Sequence, residues 1–395
     1  MQTRNSLRIP TGIAAVLAAA CGFAWQWGYA GPVLSLALIP LVLVQRNRWS
    51  RYAVALAYYL AGSHGIPLAS AVFFGPSHTG GGHLAEGIAL WLTSSASLAA
   101  GWAFADRPWK VVLVLLFDAL IPPLAFFDWM SPLSAAGALF PGTGIVGLAL
   151  LLLWIPLTSN AVSHPLARWV PLILLPVALN VTAWAVPHPA APGIEGVNLH
   201  VGPSTPSITK NVARLQSWVA VADRHKKAKV LLLPETLLTW WPGNAGYVEQ
   251  HVPQGRTWLV GASIPLKTPG LFADGIEAVT DHDSRRIFGS VLPVPVSMWR
   301  PWHKPTGDST NRMDYKAFWW QKPVRVDGKT AWAEICYDQL LPFSWLEAAL
   351  YHPEVVLLTN NEWWAKGTGI PRIQKASAWA WSRLIGAKTI EAENS

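Results

Sequence analysis

The chain contains only two cysteines in 395 residues, Cys21 and Cys336. Cys21 lies inside an N-terminal hydrophobic stretch, whereas Cys336 follows an apolar, strand-like run near the other end of the chain. The two thiols are therefore not expected to meet. Because an unpaired thiol in an oxidising compartment is a liability unless it has a use, Cys336 is the first candidate for a reactive residue.

Other absences narrow the range of functions. The sequence has no Gly-rich phosphate-binding loop, no His or Cys spacing suited to zinc, no internal repeat and no low-complexity tract. Its net charge of +8 is spread along the chain without a dense basic stripe. We therefore expect no metal, no cofactor and no direct binding of nucleic acid.

Charged residues are scarce in the first 190 positions, which hold eight Lys or Arg and four acids. Most of the rest is Leu, Ala, Val, Ile, Trp, Gly and Pro, in apolar runs that approach the roughly 20 residues a membrane-spanning helix needs. Residues 1–190 are thus predicted to form a polytopic α-helical membrane domain with about seven spans, near 10–29, 32–45, 52–74, 84–105, 110–128, 137–157 and 169–186.

The basic residues of this half predict its orientation. All eight lie at the N-terminus or in the turns after the second, fourth and sixth spans. By the positive-inside rule the N-terminus is cytoplasmic, and an odd number of spans then places residues 191–395 outside. This predicts a multi-pass protein of the bacterial inner (cell) membrane with a periplasmic C-terminal domain, and membrane lipid as a partner.

Asp118 is an ionisable group in the middle of the fifth predicted span. Such a group is a functional hypothesis by default. It could equally cap a broken helix or pair with His64.

Residues 191–395 alternate short β-rich runs with helical stretches, a pattern that predicts an α/β domain. The expected strands are 197–201, 230–233, 257–262, 286–292, 331–335 and 355–359. The expected helices are 207–227, 342–351 and 370–385.

Three local patterns carry the chemistry. Glu235 directly follows a predicted buried strand. A carboxylate at such an apolar edge is expected to have the raised pKa of a general base. A Glu that faces solvent would fit the same sequence. The stretch from Trp299 to Asp308 brings cations that could favour a thiolate or hold an oxyanion, or it is a solvated loop. Cys336 is either a nucleophile or a small core hydrophobe.

Aromatic residues accompany these segments. Several tryptophans lie next to candidate catalytic segments, which makes them substrate-pocket candidates together with Asn360, unless they only fill the core. The set is Trp240, Trp241, Trp299, Trp302, Asn360, Trp363 and Trp364.

The order Glu, Lys, Cys at predicted strand ends resembles the nitrilase or carbon-nitrogen hydrolase superfamily. With the apolar half, the layout is similar to apolipoprotein N-acyltransferase and most of all to conjugal transfer proteins of the TraB type. The resemblance rests on Pro234-Glu235, Val294 to Trp299, Ile335 to Asp338 and Thr359 to Trp364. It implies an α-β-β-α sandwich in which Glu235 is the base, Lys304 stabilises the tetrahedral intermediate and Cys336 accepts the acyl group, with Tyr337 and Asp338 in support.

The sequence departs from the acyltransferase pattern at the cation. That pattern has a Lys eight residues before the Glu of a Pro-x-Gly-Glu segment, and here eight residues before Asp308 stands Arg300, while Lys304 is four away. Either Lys304 serves through a shifted loop, or Arg300 supplies the charge, or the site is impaired. The two side chains are not equivalent where a compact ammonium must approach one oxygen.

Two functions remain open from the sequence. The first is an acyltransferase or amidase that passes a thioester from an acyl donor, a phospholipid or an amide, to an amine acceptor or water. The second is a catalytically weak accessory or interaction protein among the proteins of a conjugation apparatus.

Overall fold

The structure is a computed structural model that describes residues 9–74, 82–161, 169–185, 191, 193–205, 207–305 and 313–395. Its contacts divide the chain into two units. The first comprises Met1–Pro187, Leu340–Leu346 and Trp364–Gly386, and the second comprises His188–Gln339, Glu347–Trp363 and Ala387–Ser395. After residue 339 the chain thus passes into the first unit and back again twice.

The α-helices of the described residues are α1 Thr11–Phe23, α2 Ala30–Leu34, α3 Leu38–Leu43, α4 Arg48–Gly62, α5 Ile66–Phe74, α6 Gly82–Trp102, α7 Pro108–Leu120, α8 Ala135–Leu139, α9 Ile145–Ala161, α10 Trp169–Ala185, α11 Ile208–Ala222, α12 Ala245–His251, α13 Pro342–Tyr351 and α14 Ile370–Ile385. The strands are β1 Ile194–Gly196, β2 Val230–Leu232, β3 Thr257–Pro265, β4 Leu271–Val279, β5 Ser284–Gly289, β6 Asp314–Tyr315, β7 Val324–Val326, β8 Lys329–Ile335, β9 Val355–Asn361 and β10 Lys388–Asn394.

Helix α14, from the C-terminal part of the chain, belongs to the first unit. It lies between Gly369 and Gly386, whose left-handed φ angles of 77° and 79° suit glycine at helix ends. It packs against α8 at Gly137, where an added Cβ would stand 1.7 Å from the carbonyl oxygen of Ala380. This helix pair therefore depends on a backbone contact that any larger residue at 137 would block.

The predicted seven-span membrane domain is wrong. In the part of the chain that the structure describes, no helix is both long enough and apolar enough to cross a bilayer. The protein has a mixed helix and sheet fold instead. The predicted multi-pass inner-membrane location, with a cytoplasmic N-terminus and a periplasmic C-terminal domain, rested on those spans and is contradicted by the same finding.

The apolar runs do not form continuous helices, which is why composition alone predicted membrane spans wrongly. The first run leaves α-helical geometry after Phe23, and the third is broken between α4 and α5. Helix α7 has 13 residues and ends just before Pro122, while α9 and α10 have 17 residues each. Helix α6 reaches 21 residues but includes Glu86 and several hydroxyl side chains.

The second unit is built on two β-sheets. One has the strand order β1-β2-β3-β4-β5 with β6 paired to β4, and the other has the order β10-β9-β8-β7. Strands β1, β2 and β3 are parallel, as are β8, β9 and β10. Strands β3, β4 and β5 are antiparallel, as are β7 and β8.

A shared core joins the two sheets face to face. Leu232 and Leu259 from the first sheet lie in one buried cluster with Ala333 and Leu357 from the second. Successive side chains of a strand point to opposite faces, so the neighbours of Leu259 on β3 join a different cluster on the outer face. That outer cluster also contains Trp218 of α11.

The carboxyl ends of β2, β8 and β9 are the part of this unit that concerns function. Glu235 follows β2 closely, Cys336 follows β8 directly, and Asn361 is the last residue of β9. Polar groups of α/β sheets commonly form sites at such ends.

Candidate active site

Cys336 lies where β8 turns into a 3-10 helix that spans Cys336–Leu340. Its φ is 46°, in the left-handed region that residues other than glycine rarely adopt. Such a conformation costs about 1–3 kcal/mol and is concentrated at functional sites. A strained turn from strand to helix is also how other enzymes present a nucleophile at a sheet edge. The residue is only 8% exposed, so the thiol lies inside the unit.

Glu235 is the partner of this thiol. The Cys336 thiol donates a hydrogen bond to the Glu235 carboxylate, which also accepts one from the backbone N–H of Asn361. Burial, followed by repulsion from Asp274, raises the pKa of Glu235 well above its usual range. The structure therefore places a base of raised pKa in direct contact with a thiol.

Asp274, on β4, forms a carboxyl pair with Glu235. A hydrogen bond joins the two side chains, and Thr236 Oγ1 donates another to Asp274 Oδ1 at 3.0 Å. Burial raises the pKa of Asp274 to about 6. Two buried carboxyls in contact cannot both ionise easily, so the pair holds one proton around neutral pH.

Carboxylates dominate the electrostatics of the thiol. Burial raises the pKa of Cys336 well above its ordinary value, and Glu235, Asp274 and Glu362 raise it further. The thiol is therefore protonated at neutral pH, unlike a cysteine activated by a neighbouring cation. Reaction at this sulfur requires a base that removes its proton.

Asp338 fixes the loop that faces the Cys336 turn. Its fully buried carboxylate accepts hydrogen bonds from the backbone N–H groups of Val291 and Leu292 at 2.9 and 2.8 Å, and from the hydroxyl of Ser290 at 3.1 Å. Its position is thus structural, since it ties the residues after β5 to the residues after β8. Tyr337, beside it, is buried.

Asn360 contacts the same turn through an amide pair. Gln339 Nε2 donates to Asn360 Oδ1 at 2.8 Å and to the carbonyl oxygen of Glu334 at 3.0 Å. Asn360 and Gln339 are both buried. The ends of β8 and β9 are therefore joined by side chains as well as by the parallel ladder.

The predicted cations lie in a different setting. Lys304 is exposed, and Arg300 forms an ion pair with the buried Asp314, with 2.7 Å between Nη2 and Oδ1. His303 contacts the other oxygen of Asp314 at 2.8 Å. Asp308 lies outside the described residues. The structure thus brings Glu235 and Cys336 together but does not join either cation to them, and the role of Lys304 stays a prediction.

The predicted tryptophans fall into separate groups. Trp241 is buried in the outer core of the second unit, whereas Trp240 and Trp302 are 48% and 68% exposed. Trp299 packs against Trp319 with ring centroids 6.1 Å apart. Trp363 and Trp364 are half-buried, and Trp364 contacts Phe73 within the first unit. Their role in a substrate pocket stays a prediction.

Sequence reasoning missed Asp274 and Tyr315. Tyr315 donates to or accepts from Ser263 at 2.8 Å, and its pKa is raised by burial and by the charges of Asp274 and Glu235, so its phenol lies near the carboxyl pair. The sequence did offer a signal for Asp274, because this acid stands between apolar neighbours in Phe272-Ala273-Asp274-Gly275-Ile276. A buried strand rarely carries an acid that has no partner.

The geometry defines a class: a two-sheet α/β unit with a buried thiol and a carboxyl pair at the ends of its strands.

No known family profile matches the chain. Conjugal transfer protein TraB of Agrobacterium fabrum is 27% identical over 396 residues, which cover 93% of this chain and 89% of that protein. A probable conjugal transfer protein TraB of Sinorhizobium fredii is 28% identical over 379 residues, which cover 91% and 92%. The chain is homologous to these TraB proteins along nearly its whole length, as the sequence predicted.

Proposed function

We propose that this protein serves conjugal transfer as a thiol acyltransferase or amidase of the nitrilase type, with Cys336 as nucleophile and Glu235 as base. The observation that carries the proposal is the hydrogen bond from the Cys336 thiol to Glu235 at a strained strand end. The homology to conjugal transfer proteins supports the biological setting.

The carboxyl pair gives this chemistry a route for the proton. The proton that the pair holds lies on Glu235, whose pKa is the higher of the two, and it moves across the hydrogen bond to Asp274. Glu235 is then free to take the thiol proton as the sulfur attacks the acyl carbon. The bond from the acyl carbon to its leaving group then breaks, and the leaving group takes a proton from the pair. The product is a thioester on Cys336.

The second half of the cycle reverses these steps. An amine or water gives a proton to Glu235 as it attacks the thioester carbon. The carbon–sulfur bond breaks, and the sulfur regains a proton from the pair. The pair therefore begins and ends each turnover with the same single proton, and no cofactor is needed for the balance.

Lys304 is the proposed oxyanion partner. It is exposed and makes no ion pair within the described ranges of the chain, whereas Arg300 is held by Asp314. A free ammonium on a Pro-rich loop can reach a carbonyl oxygen that gains charge, and donors of this kind contribute about 3–4 kcal/mol to transition-state stabilisation.

A second candidate is a catalytically weak accessory protein of the conjugation apparatus. The raised pKa of Cys336 among carboxylates favours it, because such a thiol is unreactive until its proton is removed. Transfer frequency separates the two. A donor strain with Cys336→Ala should transfer its plasmid as poorly as a deletion strain if acylation is required, and as well as wild type if the protein only binds partners.

An active-ester assay tests the chemistry directly. The purified chain is mixed with the p-nitrophenyl ester of a fatty acid, and the release of nitrophenolate is followed. We expect a burst close to one equivalent per chain in wild type and in Cys21→Ser, and none in Cys336→Ser. Equal bursts in the two cysteine variants would refute the assignment of the nucleophile.

A further inference from the structure

Exposed tryptophans lie on two loops of the second unit, residues 293–305 and 316–323. Trp302 is 68% exposed on the first loop, and Trp319 and Trp320 are 45% and 75% exposed on the second. We refer to these three indoles as the aromatic face. Tryptophan is a large apolar side chain, and exposed apolar groups that lie together indicate an interaction surface.

The two loops meet around a cavity. The rings of Trp299 and Trp319, one from each loop, pack with their centroids 6.1 Å apart. Both rings line a cavity of about 380 Å³, whose wall also includes Leu271, Pro301 and Lys316. A cavity of this volume is within the range of small-molecule sites. The aromatic face therefore lies beside an opening that has room for part of an apolar chain and the polar group attached to it.

The second loop is fixed by buried polar contacts. The Glu347 carboxylate accepts hydrogen bonds from the backbone N–H groups of Trp320 and Gln321. The Gln321 side chain in turn pairs with both backbone groups of Gly289, at 2.9 and 2.5 Å. Trp320 is held at a φ of 61°, in a region that is unfavourable for a bulky residue. The loop thus keeps its exposed indoles in one position, which reduces the entropy that binding would cost.

The same two loops carry positive charge. Lys304, Lys316 and Lys322 are exposed, and neither of the ranges 293–305 and 316–323 contains an acid. Asp314, which precedes the second loop, is 4% exposed and pairs with Arg300 at 2.7 Å. The surroundings of the aromatic face therefore attract negatively charged groups.

The combination of indole and ammonium groups favours a lipid surface over a protein partner. Tryptophan concentrates at the boundary between water and bilayer, where its ring lies at the level of the headgroups. Lysine lays its alkyl stem along apolar surface and places its ammonium among anionic headgroups. Interfaces between proteins are instead depleted in lysine and enriched in arginine, and Arg300 is already paired with Asp314.

We propose that the aromatic face docks on the surface of a lipid bilayer that contains anionic phospholipid. The three indoles enter the headgroup region, and the exposed lysines contact phosphate groups. The cavity between the loops takes the phosphate and the first chain carbons of one lipid, with Lys316 beside the phosphate. The two loops reach only the level of the headgroups, so this contact requires no helix that crosses the bilayer.

Co-sedimentation of the full chain with vesicles tests this proposal. One kind of vesicle is made of phosphatidylcholine, and the other is an equal mixture of phosphatidylcholine and phosphatidylglycerol. We expect wild type to bind the mixture more tightly, and salt to weaken that binding, because part of the attraction is electrostatic. Lys316→Ala/Lys322→Ala should lower the affinity for the mixture by roughly thirtyfold, at about fivefold for each lysine. It should leave the affinity for phosphatidylcholine unchanged.

The exchange of two indoles should affect both kinds of vesicle. Trp319→Ala/Trp320→Ala should bind each of them at least about tenfold more weakly, because less apolar surface enters the headgroup region. Two control variants should bind as wild type does. Lys226→Ala/Lys227→Ala removes two exposed lysines elsewhere in the second unit, and Trp49→Ala removes an indole of the first unit that is 67% exposed.

The comparison of the two vesicles with wild type decides the matter even if a variant fails to fold. Wild-type binding that is equal for both vesicles would overturn the proposal. Binding that is unchanged in folded variants of the aromatic face and its lysines would overturn it too. Absence of vesicle binding by wild type would overturn it as well, and poor plasmid transfer by both variants would then assign the aromatic face to a protein partner.

Discussion

The thiol of Cys336 is hydrogen-bonded to Glu235, and the charges that act on it come from carboxylates. This relationship decides what kind of nucleophile the residue can be. A cysteine beside a cation stores a thiolate before substrate arrives. Cys336 instead keeps its proton until a base removes it, so Glu235 is essential to the step in which sulfur attacks.

The exchange of Glu235 for Gln should have opposite effects on two reactions of the thiol. Removal of a neighbouring negative charge lowers the pKa of Cys336, so alkylation by iodoacetamide at pH 8 should become faster, by roughly tenfold per pKa unit. Acylation by an ester should become at least about a hundredfold slower, because the base is gone. Stopped-flow and mass spectrometry measure the two rates.

Glu277→Gln is the matched control for this variant. Glu277 is another buried acid on β4, and burial raises its pKa to about 7. We expect it to leave both rates at Cys336 near the wild-type values. If Glu235→Gln slows alkylation and acylation together, Glu235 positions the thiol and does not act as its base.

Asp274→Asn should change how stability depends on pH. The pKa values of Glu235 and Asp274 are raised in the folded state, so their contribution to stability is complete at low pH. The part from Asp274 is lost as the pH rises to about 6, and the part from Glu235 is lost at higher pH. Each pKa unit corresponds to about 1.4 kcal/mol, so Asp274 should account for about 1.4 kcal/mol of the loss in wild type between pH 5 and pH 8, and Glu235 should add to it.

The variant should lose much less over the same range, since a neutral amide replaces one of the two acids. Urea unfolding at several pH values measures the difference. Parallel curves for wild type and Asp274→Asn would contradict the shared proton.

Asp338→Asn should destabilise the second unit without touching the nucleophile. The carboxylate accepts hydrogen bonds from Ser290, Val291, Leu292 and Ile335, and an amide presents an N–H group to at least one of these donors. The expected loss is about 2–3 kcal/mol in the free energy of unfolding. Asp281→Asn, at an exposed position, should cost less than about 0.5 kcal/mol. Comparable losses would mean that the loop is held by other contacts.

Lys304 and Arg300 should respond differently to exchange for Ala. Lys304→Ala should slow acylation of Cys336 by about 10²–10³-fold and leave Tm unchanged, because the side chain is exposed. Arg300→Ala should lower stability by about 1–3 kcal/mol, since the buried Asp314 would lose its arginine partner and keep only the contact with His303. A larger kinetic effect for Arg300→Ala, with Tm retained, would assign the oxyanion role to Arg300.

Much of the second unit could be predicted because its buried strands are short apolar runs. Strands β2, β3, β8 and β9 and helices α11, α13 and α14 lie where the sequence indicated them. The strand predicted at 197–201 is wrong, and β1, β4, β6, β7, β10 and helix α12 were missed. The reason is clearest for β4 and β10. Acids such as Asp274 and Glu391 interrupt their apolar pattern, and only the fold reveals what surrounds those acids.

The first unit could not be predicted in the same way. An apolar composition indicates that residues are buried, but it does not show whether one helix continues through all of them. Breaks after Phe23 and Gly62 turn long apolar runs into short helices that pack on one another.

The intact mass of the full chain, isolated from bacteria during conjugation, shows whether Cys336 is acylated in the cell. We expect a fraction of molecules with an added acyl group, mapped by peptide analysis to Cys336, released by hydroxylamine as a thioester is, and absent from Glu235→Gln. A chain that never carries the adduct under these conditions, or carries it equally in Glu235→Gln, would contradict the assignment of Cys336 and Glu235 as nucleophile and base.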